Sequence, residues 1–214
     1  MDNKPKALDI CCCAGGASRG LALAGFDVTG LDIRPQPRYP YPFILGDALT
    51  ADIDGYDLYF TSPPCQFGSI VTPKSHRANH QNLIPAIRER LQAAGKPYII
   101  ENVENNRRHL INPIKLCGSM FGLQTFRHRY FEVYPFISLL TPPCRHDFKP
   151  LLVTTAGANS RAIREKGNYK SVKNAPLAYG IDWMIADELK EAIPPAFTEF
   201  LGSQIMQACF EKAA

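Results

Sequence analysis

Short apolar runs alternate with helical patterns along the first hundred residues of the chain. Runs at residues 7–11, 26–32, 43–45, 57–61 and 98–103 each have the length of a buried strand. Between the last two runs, Leu83, Ile84, Ile87 and Leu91 recur at helical spacing, and a glycine ends the segment. Strands alternating with helices predict an α/β fold, with a mostly parallel sheet covered by helices on both faces.

The second half of the chain is less regular. Residues 126–133 alternate basic and aromatic types, a pattern typical of a half-buried strand. Residues 134–174 are rich in proline, glycine and charge, and they predict a small loop-rich appendage. The chain re-enters the fold at residues 177–183 and ends in two helices, near 185–192 and after 194–195. We therefore expect a main domain of residues 1–133 and 175–214, interrupted by an appendage at 134–174.

Composition narrows the cellular setting. The chain has 214 residues, of which 45% are hydrophobic, which is enough for one domain with a sizeable core. No apolar run approaches the roughly 18 residues of a membrane span, and residues 1–6 lack the apolar core of a signal peptide. The seven cysteines are odd in number, and three are adjacent at 11–13, a poor layout for disulfides. We expect a cytoplasmic protein without membrane contact.

Three residues near the predicted appendage come nearest to a metal-ligand set. Cys117, Cys144 and His146 are suitable residue types, but their spacing matches no usual zinc pattern. No fourth ligand is evident from the sequence. We therefore predict no metal site.

The net positive charge is small, but the cations are clustered along the chain. The net charge is only +4, yet residues 160–174 hold five cations against a single acid, Glu165. A second cluster is formed by Arg107 and Arg108. Either cluster is compatible with a solvated loop or with contacts to phosphates.

Polar side chains gather where the predicted strands end. The first strand leads to Gly15 and Gly16, a turn that can bring backbone N–H groups close to a nucleotide-like ligand. Asp32 ends the second strand, where an acid can accept hydrogen bonds from ribose hydroxyls, and Glu101 ends the fifth. Because carboxyl ends of parallel strands meet at one edge of a sheet, one crevice can hold them all.

A cysteine follows the fourth strand after two prolines, which fix the direction of the loop. Cys65 at this position is a candidate nucleophile. Taken alone, it is more commonly a buried structural thiol. Arg127 and Arg129 share one face of the strand predicted at residues 126–133 and, taken alone, are more commonly part of a solvated edge.

Taken in order, these segments resemble the motifs of the DNA cytosine-5 methyltransferase family, in particular its short phage-type members. Residues 8–16 are similar to the cofactor motif Asp-Leu-Phe-x-Gly-x-Gly-Gly, 64–66 to the nucleophile motif, 101–103 to the second catalytic motif and 127–129 to the Arg-x-Arg motif. Residues 202–205 occupy the place of the last cofactor motif. The resemblance implies a Rossmann-like methyltransferase fold whose domain of residues 1–133 and 175–214 is catalytic.

The resemblance implies S-adenosyl-L-methionine as cofactor and S-adenosyl-L-homocysteine as product. The residues implied to bind the cofactor are Asp9, Cys11, Ala14, Gly15, Gly16, Asp32, Ile33, Asp47, Ala48, Pro64 and Ser203. Asp32 and Asp47 could each instead cap a helix. Cys13 stands where the family has glycine, so a residue with a Cβ must form a demanding turn.

The implied reaction is methyl transfer to carbon 5 of cytosine in DNA, through a covalent bond from Cys65 to carbon 6. Glu101 is implied to meet N3 of the base, and Arg129 to hold O2 with support from Arg127. Asn102 belongs to the same motif as Glu101. Because Glu101 needs to carry a proton, we expect burial in the crevice to raise its pKa.

The partner implied is DNA containing cytosine, in a bacterial or phage-infected cell and with a role such as restriction-modification. Implied DNA contacts are Gln66, Ser69, Arg161, Arg164, Lys166, Lys170 and Lys173. The appendage at 134–174 takes the place of a target-recognition domain and is short for one, so we expect little sequence preference. No obligate protein partner is evident.

Two other functions stay open at this point. Methylation of free cytidine nucleotides would keep the chemistry and need no target-recognition domain. A non-catalytic DNA-binding or regulatory relative would not need Cys65, Glu101 and Arg129 together.

Overall fold

The computed structural model describes residues 4–69, 72, 74–77, 79–137, 141–151, 153 and 172–211. Within these residues a seven-stranded sheet forms the centre of the molecule. Its strands are β1 (Lys6–Ile10), β2 (Asp27–Asp32), β3 (Phe43–Leu45), β4 (Leu58–Thr61), β5 (Tyr98–Asn102), β6 (Ile114–Leu116) and β7 (Arg129–Tyr134).

The strands lie in the order β3-β2-β1-β4-β5-β7-β6. Neighbours from β3 to β5 pair in parallel, whereas β7 is antiparallel to both β5 and β6. The chain order reverses between β1 and β4, so the loops that leave these two strands diverge and open a crevice between them. The prediction of a mostly parallel sheet is confirmed.

Helices cover the sheet and complete the fold. They are α1 (Gly16–Leu23), α2 (Lys74–Arg77), α3 (Ile84–Ala94), α4 (Ala175–Tyr179), α5 (Ala186–Glu191) and α6 (Pro195–Ile205). Short 3₁₀ turns lie at Glu104–His109, Gly118–Phe121 and Val172–Asn174, and Met206–Phe210 extends α6 as a π-turn. None of the described helices is long and apolar enough to cross a membrane.

Each face of the sheet buries its own apolar cluster. On one face, Leu21 of α1 and Phe197 of α6 pack with Phe60 and Phe131 of the sheet. Gly20 lets these two helices touch, because a Cβ there would lie 2.1 Å from the carbonyl oxygen of Pro195. On the other face, the stripe of α3 that the sequence predicts packs on strand side chains, with Ile84, Ile87 and Leu91 all buried.

A third apolar cluster joins the carboxyl-terminal helices to the turn after β1. Ala14 packs there with Ala178, Leu189 and Ala192, and Val153 is 1% exposed in the same cluster. The backbone N–H of Leu151 also donates to the carbonyl oxygen of Gln124 at 2.8 Å. The described part of the 141–153 segment therefore packs into the main domain, and the proposed boundary at residues 134–174 stays a prediction.

The structure corrects one predicted strand and adds another. The strand expected over residues 126–133 begins only at Arg129, and four consecutive residues of β7 are buried rather than every second one. One of the four is Glu132, which is buried and pairs with Arg88 at 2.6 Å. Strand β6, on the outer side of β7, has only three residues and no periodic pattern to predict it.

Candidate active site

The two loops that leave β1 and β4 are hydrogen-bonded to each other at their bases, before they diverge. The hydroxyl of Ser62, after β4, donates to the carbonyl oxygen of Cys11, after β1, at 3.2 Å. The backbone N–H of Ser62 reaches the carbonyl oxygen of Ile10 at 3.3 Å. One crevice therefore joins the glycine-rich turn to the loop that carries Cys65.

Side-chain amides hold the Cys65 loop against the end of β5. Asn102 donates to the carbonyl oxygen of Pro63 at 3.0 Å, and Asn106 donates both to the carbonyl oxygen of Cys65 at 3.2 Å and to Asn102 at 2.8 Å. Gly68 permits this contact, since a Cβ there would lie 1.8 Å from Oδ1 of Asn106. In this structure Asn102 positions the Cys65 loop through backbone contacts.

Glu101 and Arg129 meet because β7 runs antiparallel to β5. Glu101 lies near the carboxyl end of β5, opposite Phe131 of β7. Arg129 is two residues before Phe131, so its side chain and that of Glu101 point to the same face of the sheet. Nε of Arg129 lies 2.9 Å from Oε1 of Glu101. The contact is an ion pair without hydrogen-bond alignment, because that oxygen accepts no hydrogen bond from the described residues.

Burial controls the protonation of the acid and the thiol. Glu101 is 5% exposed, and desolvation raises its pKa although Arg129 and Arg127 oppose the shift. The pKa of Cys65 is also raised, by burial first and by the Glu101 carboxylate second, whereas Arg129 lowers it. Cys65 therefore feels the charge of both members of the ion pair, and its loop is held at the end of β5 that carries Glu101. The direction for Glu101 agrees with the sequence prediction.

Arg127 lies behind this site and is held by the carboxyl-terminal helices. It donates to the hydroxyl of Tyr179 at 3.1 Å and to the carbonyl oxygen of Lys190 at 2.7 Å, with its guanidinium 4.9 Å from the centre of the Tyr179 ring. Burial and the neighbouring Arg129 lower its pKa to about 10, so it stays charged at neutral pH. Its Nε is buried without a partner among the described residues.

The turn after β1 adopts a backbone conformation that favours glycine. Cys11 has φ +62° and Cys13 has φ +46°, and Gly15 follows at φ +86°. The demanding turn predicted for Cys13 is therefore present. The Asp32 carboxylate holds the turn, accepting from the backbone N–H of Cys13 at 3.0 Å and from that of Arg34 at 3.0 Å.

Asp9 lies beneath the turn rather than on its surface. It is fully buried and accepts a hydrogen bond from the hydroxyl of Ser18, which also contacts the Tyr39 hydroxyl at 2.7 Å. Burial, with the nearby Asp32 carboxylate adding to it, raises the pKa of Asp9 to about 7. Asp9 thus joins β1 to α1 through Ser18.

The ends of β2 and β3 fit a nucleoside. Each oxygen of Asp32 accepts one backbone hydrogen bond, which leaves lone pairs for ribose hydroxyls. Ile33, directly after it, is 66% exposed and offers an apolar surface to a base. Asp47 and Ala48 follow β3, next to the end of β2. The backbone N–H of Gly46 joins the two strand ends by donating to the carbonyl oxygen of Asp32 at 2.9 Å. The Asp47 carboxylate also accepts from the backbone N–H of Leu49 in its own turn.

Ser203 is not brought to this crevice. It lies on α6, roughly 12 Å along the axis from Pro195. There it lines a surface groove with Phe121, Ala196, Glu199, Phe200 and Gln204.

The segment before α6 contacts the glycine-rich turn instead. A Cβ on Gly16 would lie 2.4 Å from the carbonyl oxygen of Ile193, and Glu191 lies 3.6 Å from the thiol of Cys13. The indole of Trp183 donates to the Ala14 carbonyl oxygen at 2.8 Å. Sequence reasoning missed Trp183, Glu191 and Tyr179, and only the proline pair at 194–195 marks this place in the sequence.

A polar groove begins beside the Cys65 loop and carries two arginines. Its lining residues are Phe67, Gly68, Glu104, Asn105, Arg107 and Arg108. Gln66 and Ser69 lie on the loop itself, and Oε1 of Gln66 is buried without a partner among the described residues. Lys173 is exposed near the end of the appendage, while Arg161, Arg164, Lys166 and Lys170 lie outside the described residues.

No protein-family model matches the chain, and no curated protein sequence does so either. Among solved structures, the chain is similar to a putative DNA modification methyltransferase encoded within a prophage, from E. coli. The TM-score is 0.50 at 22% identity, and the match covers 71% of this chain and 54% of that one. The chain therefore spans about half the length of the prophage protein.

Two further solved structures match nearly the whole chain. The Entamoeba histolytica methyltransferase EhMeth gives a TM-score of 0.67 at 12% identity, covering 98% of this chain and 100% of that one. The S. pombe Dnmt2 methyltransferase gives 0.58 at 13% identity, covering 97% and 100%. At these identities the likeness shows the fold, and the Rossmann-like methyltransferase fold is confirmed.

Proposed function

We propose that this chain, which has the fold of these methyltransferases, transfers a methyl group from S-adenosyl-L-methionine to carbon 5 of cytosine in DNA. The observation that carries the proposal is the meeting of Cys65, Glu101 and Arg129 at the sheet edge, opposite the turn held by Asp32. A thiol, a protonated acid and a cation are the three groups that activation of a cytosine ring requires. The motif resemblance and a structural neighbour described as a DNA modification methyltransferase support the same reaction.

The cofactor would lie along the ends of β1, β2 and β3. Asp32 would accept from the ribose hydroxyls, Ile33 would contact the adenine ring, and the backbone of the Cys11–Gly16 turn would approach the amino-acid part. When bound, S-adenosyl-L-methionine supplies a methyl group on a positively charged sulfonium. The acidic surroundings formed by Asp9, Asp32 and Glu191 suit that charge.

The described side chains account for activation of the base. The Cys65 thiolate adds to carbon 6 of cytosine, and the electron pair moves towards N3 as carbon 5 becomes nucleophilic. Glu101 donates its proton to N3, which its raised pKa favours, and Arg129 then faces the resulting carboxylate. After carbon 5 is methylated, its proton leaves to solvent water and the bond to Cys65 breaks, which restores the ring and the thiolate. N3 returns its proton to the Glu101 carboxylate.

A cytosine inside a duplex cannot reach Cys65, so the base must leave the stack and enter the crevice. The groove that contains Arg107 and Arg108 begins beside the same loop, and these two cations would hold the flanking phosphates. We expect the cations of residues 161–173 to add phosphate contacts. Because the appendage is short, we expect weak or very short sequence preference.

The test is an assay of methyl transfer from labelled S-adenosyl-L-methionine to three substrates: duplex DNA, single-stranded DNA and dCMP. We expect labelled 5-methylcytosine from DNA with the wild-type chain and none with Cys65→Ser. Cys209→Ser is the matched control, because Cys209 is an exposed thiol on the last helical turn.

Each other outcome supports a different function. Transfer to dCMP alone would show a nucleotide methyltransferase and overturn the DNA substrate. Absence of transfer from a chain that binds both DNA and S-adenosyl-L-methionine would show a non-catalytic relative and overturn the reaction itself.

A further inference from the structure

Two cysteines and two histidines from three separate segments converge beside the catalytic arginines. Cys117 follows β6, His128 precedes β7, and Cys144 and His146 belong to the 141–151 segment. One ligand atom from each residue lies within 4.8 Å of all the others. Sequence reasoning identified three of the four residues and missed His128, because it lies inside the Arg-x-Arg motif.

The distances among these atoms fit tetrahedral zinc. Zinc bonds of about 2.3 Å to sulfur and about 2.0 Å to nitrogen hold the ligand atoms roughly 3.3–3.8 Å apart. Sγ of Cys144 lies 2.9 Å from Nε2 of His146 and 3.4 Å from Nε2 of His128, and Sγ of Cys117 lies 3.5 Å from Nε2 of His146. The remaining pairs of ligand atoms lie within 4.8 Å, so shifts of up to about 1 Å would complete the tetrahedron.

The surroundings resemble an outer shell of a metal site. The Ser119 hydroxyl lies 3.1 Å from the sulfur of Cys117 and 4.0 Å from that of Cys144, and the Arg145 N–H donates to it at 3.0 Å. The ring of Phe126 stacks on His146 with centroids 4.1 Å apart, and Phe148 packs on Phe126. The Ser119 hydroxyl has one hydrogen to donate, and it can orient the thiolate of Cys117, the nearer sulfur.

We propose that Cys117, His128, Cys144 and His146 bind one structural Zn²⁺ ion that joins the 141–151 segment to the start of β7. Four protein ligands fill the tetrahedron, so no position is open for catalysis. Binding displaces the thiol protons of Cys117 and Cys144 to solvent, including the one that Cys117 shares with the carbonyl oxygen of Phe126 at 3.1 Å.

The ion would act on the candidate active site through position alone. His128 lies between Arg127 and Arg129, so a ligand bond at its ring fixes the backbone from which both arginines leave the sheet. The same ion would tie residues 144–146 of the appendage to the residues that precede β7. The four ligands are drawn from residues 117–146, a spacing longer than the usual zinc patterns, which is why the sequence did not predict the site.

The test is metal content, measured on the full chain expressed with added zinc and purified under reducing conditions. We expect one zinc per chain by elemental analysis, and visible bands typical of tetrahedral cobalt with sulfur ligands after exchange for Co²⁺. His146→Asn and Cys144→Ser should each lower the zinc content at least tenfold after dialysis against a weak chelator. His80→Asn and Cys209→Ser, at exposed positions elsewhere, should retain one zinc.

The wild-type chain keeps the test decisive even where a variant fails to fold. Removal of metal with a strong chelator should lower its melting temperature, and added Zn²⁺ should restore it. A wild-type chain that holds less than a tenth of an equivalent of zinc would overturn the proposal. So would an unchanged zinc content in His146→Asn, or a Cys117–Cys144 disulfide that persists in the reduced preparation. None of these readouts depends on methyl transfer.

Discussion

Two loops with cysteines lie side by side at the carboxyl ends of β1 and β4, and their surroundings differ in charge. Cys11 faces carboxylates, and burial together with Asp32 and Asp9 raises the pKa of its thiol to about 12. The pKa of the Cys65 thiol is also raised by burial and by Glu101, but Arg129 offsets part of the shift. A cysteine at a strand end is thus a candidate nucleophile only where a cation accompanies it.

The two loops also differ in how their backbones are held. The Cys11–Gly15 turn includes two non-glycine residues with positive φ and depends on Asp32 to hold it. The Cys65 loop follows two prolines and is fixed by the amides of Asn102 and Asn106. We infer that the first loop is shaped for a cationic ligand and the second for a thiol that must attack from one direction.

The largest expected effect comes from removing the Cys65 thiol. Cys65→Ser should lower kcat for methyl transfer at least about a thousandfold, because a serine hydroxyl is not deprotonated under these conditions. Cys11→Ser should act mainly by raising KM for S-adenosyl-L-methionine. Steady-state assays of both variants check the comparison, and equal losses of kcat would refute the assignment of roles.

Glu101→Gln removes the proton donor and should lower kcat by about 100-fold to 10,000-fold. The same substitution lowers activity but is expected to increase the stability of the fold at pH 7. A carboxyl whose pKa is higher in the folded state stabilises the fold fully below its unfolded pKa of about 4.3, and that contribution is lost as pH rises through the folded pKa. Glutamine has no carboxyl group to ionise, so the variant does not lose this stability as the pH rises.

We therefore expect Glu101→Gln to melt at a higher temperature than the wild type at pH 7, with the difference shrinking towards pH 4. Thermal unfolding at both pH values checks this expectation. A variant that is less stable than the wild type at pH 7 and equal to it at pH 4 would show that the Arg129 ion pair outweighs burial.

Arg129→Gln tests the cation that distinguishes the two loops. Without it the pKa of Cys65 should rise further, so alkylation of Cys65 by iodoacetamide at pH 8 should slow by about three- to tenfold. Peptide mass spectrometry measures each cysteine separately, with Cys209 as the internal standard. Arg107→Gln, an exposed cation on the neighbouring groove, is the matched control and should leave the rate unchanged.

The smallest effect concerns the backbone of the first loop. Cys13→Gly and Cys13→Ala both remove the thiol, but only glycine adopts φ +46° without strain. The glycine variant should therefore be more stable than the alanine variant by about 1 kcal/mol in urea unfolding. Equal stabilities would mean that the turn relaxes when the thiol is removed.

Periodicity predicted the parallel half of the sheet because each of its strands is a short apolar run followed by a turn or a helix. The acids at the ends of β2 and β5 followed from that arrangement. Strand β6 was not predicted, because three residues carry no period. Strand β7 was predicted, but with an alternating pattern, because the sequence does not show that Glu132 is buried beside Arg88, a residue distant in the chain.

The parts of the site that the sequence did not predict come from distant segments. Tyr179 and the Lys190 carbonyl oxygen hold Arg127, and Glu191 lies beside the glycine-rich turn, yet none of them belongs to a local pattern. Ser203 shows the opposite error. Its local sequence resembles a cofactor motif, but on α6 it lies in a groove apart from the crevice. Local patterns predicted strand-end residues well, and contacts between distant helices not at all.

The most direct test of the central claim is formation of the Cys65 bond to cytosine. A duplex containing 5-fluorocytosine should trap it, because the methylated carbon 5 then carries fluorine instead of the proton that must leave. We predict a denaturation-resistant complex with S-adenosyl-L-methionine present, and a cross-linked peptide that contains Cys65. A cross-link at Cys11, or methyl transfer to ordinary DNA without any trapped complex, would contradict the account.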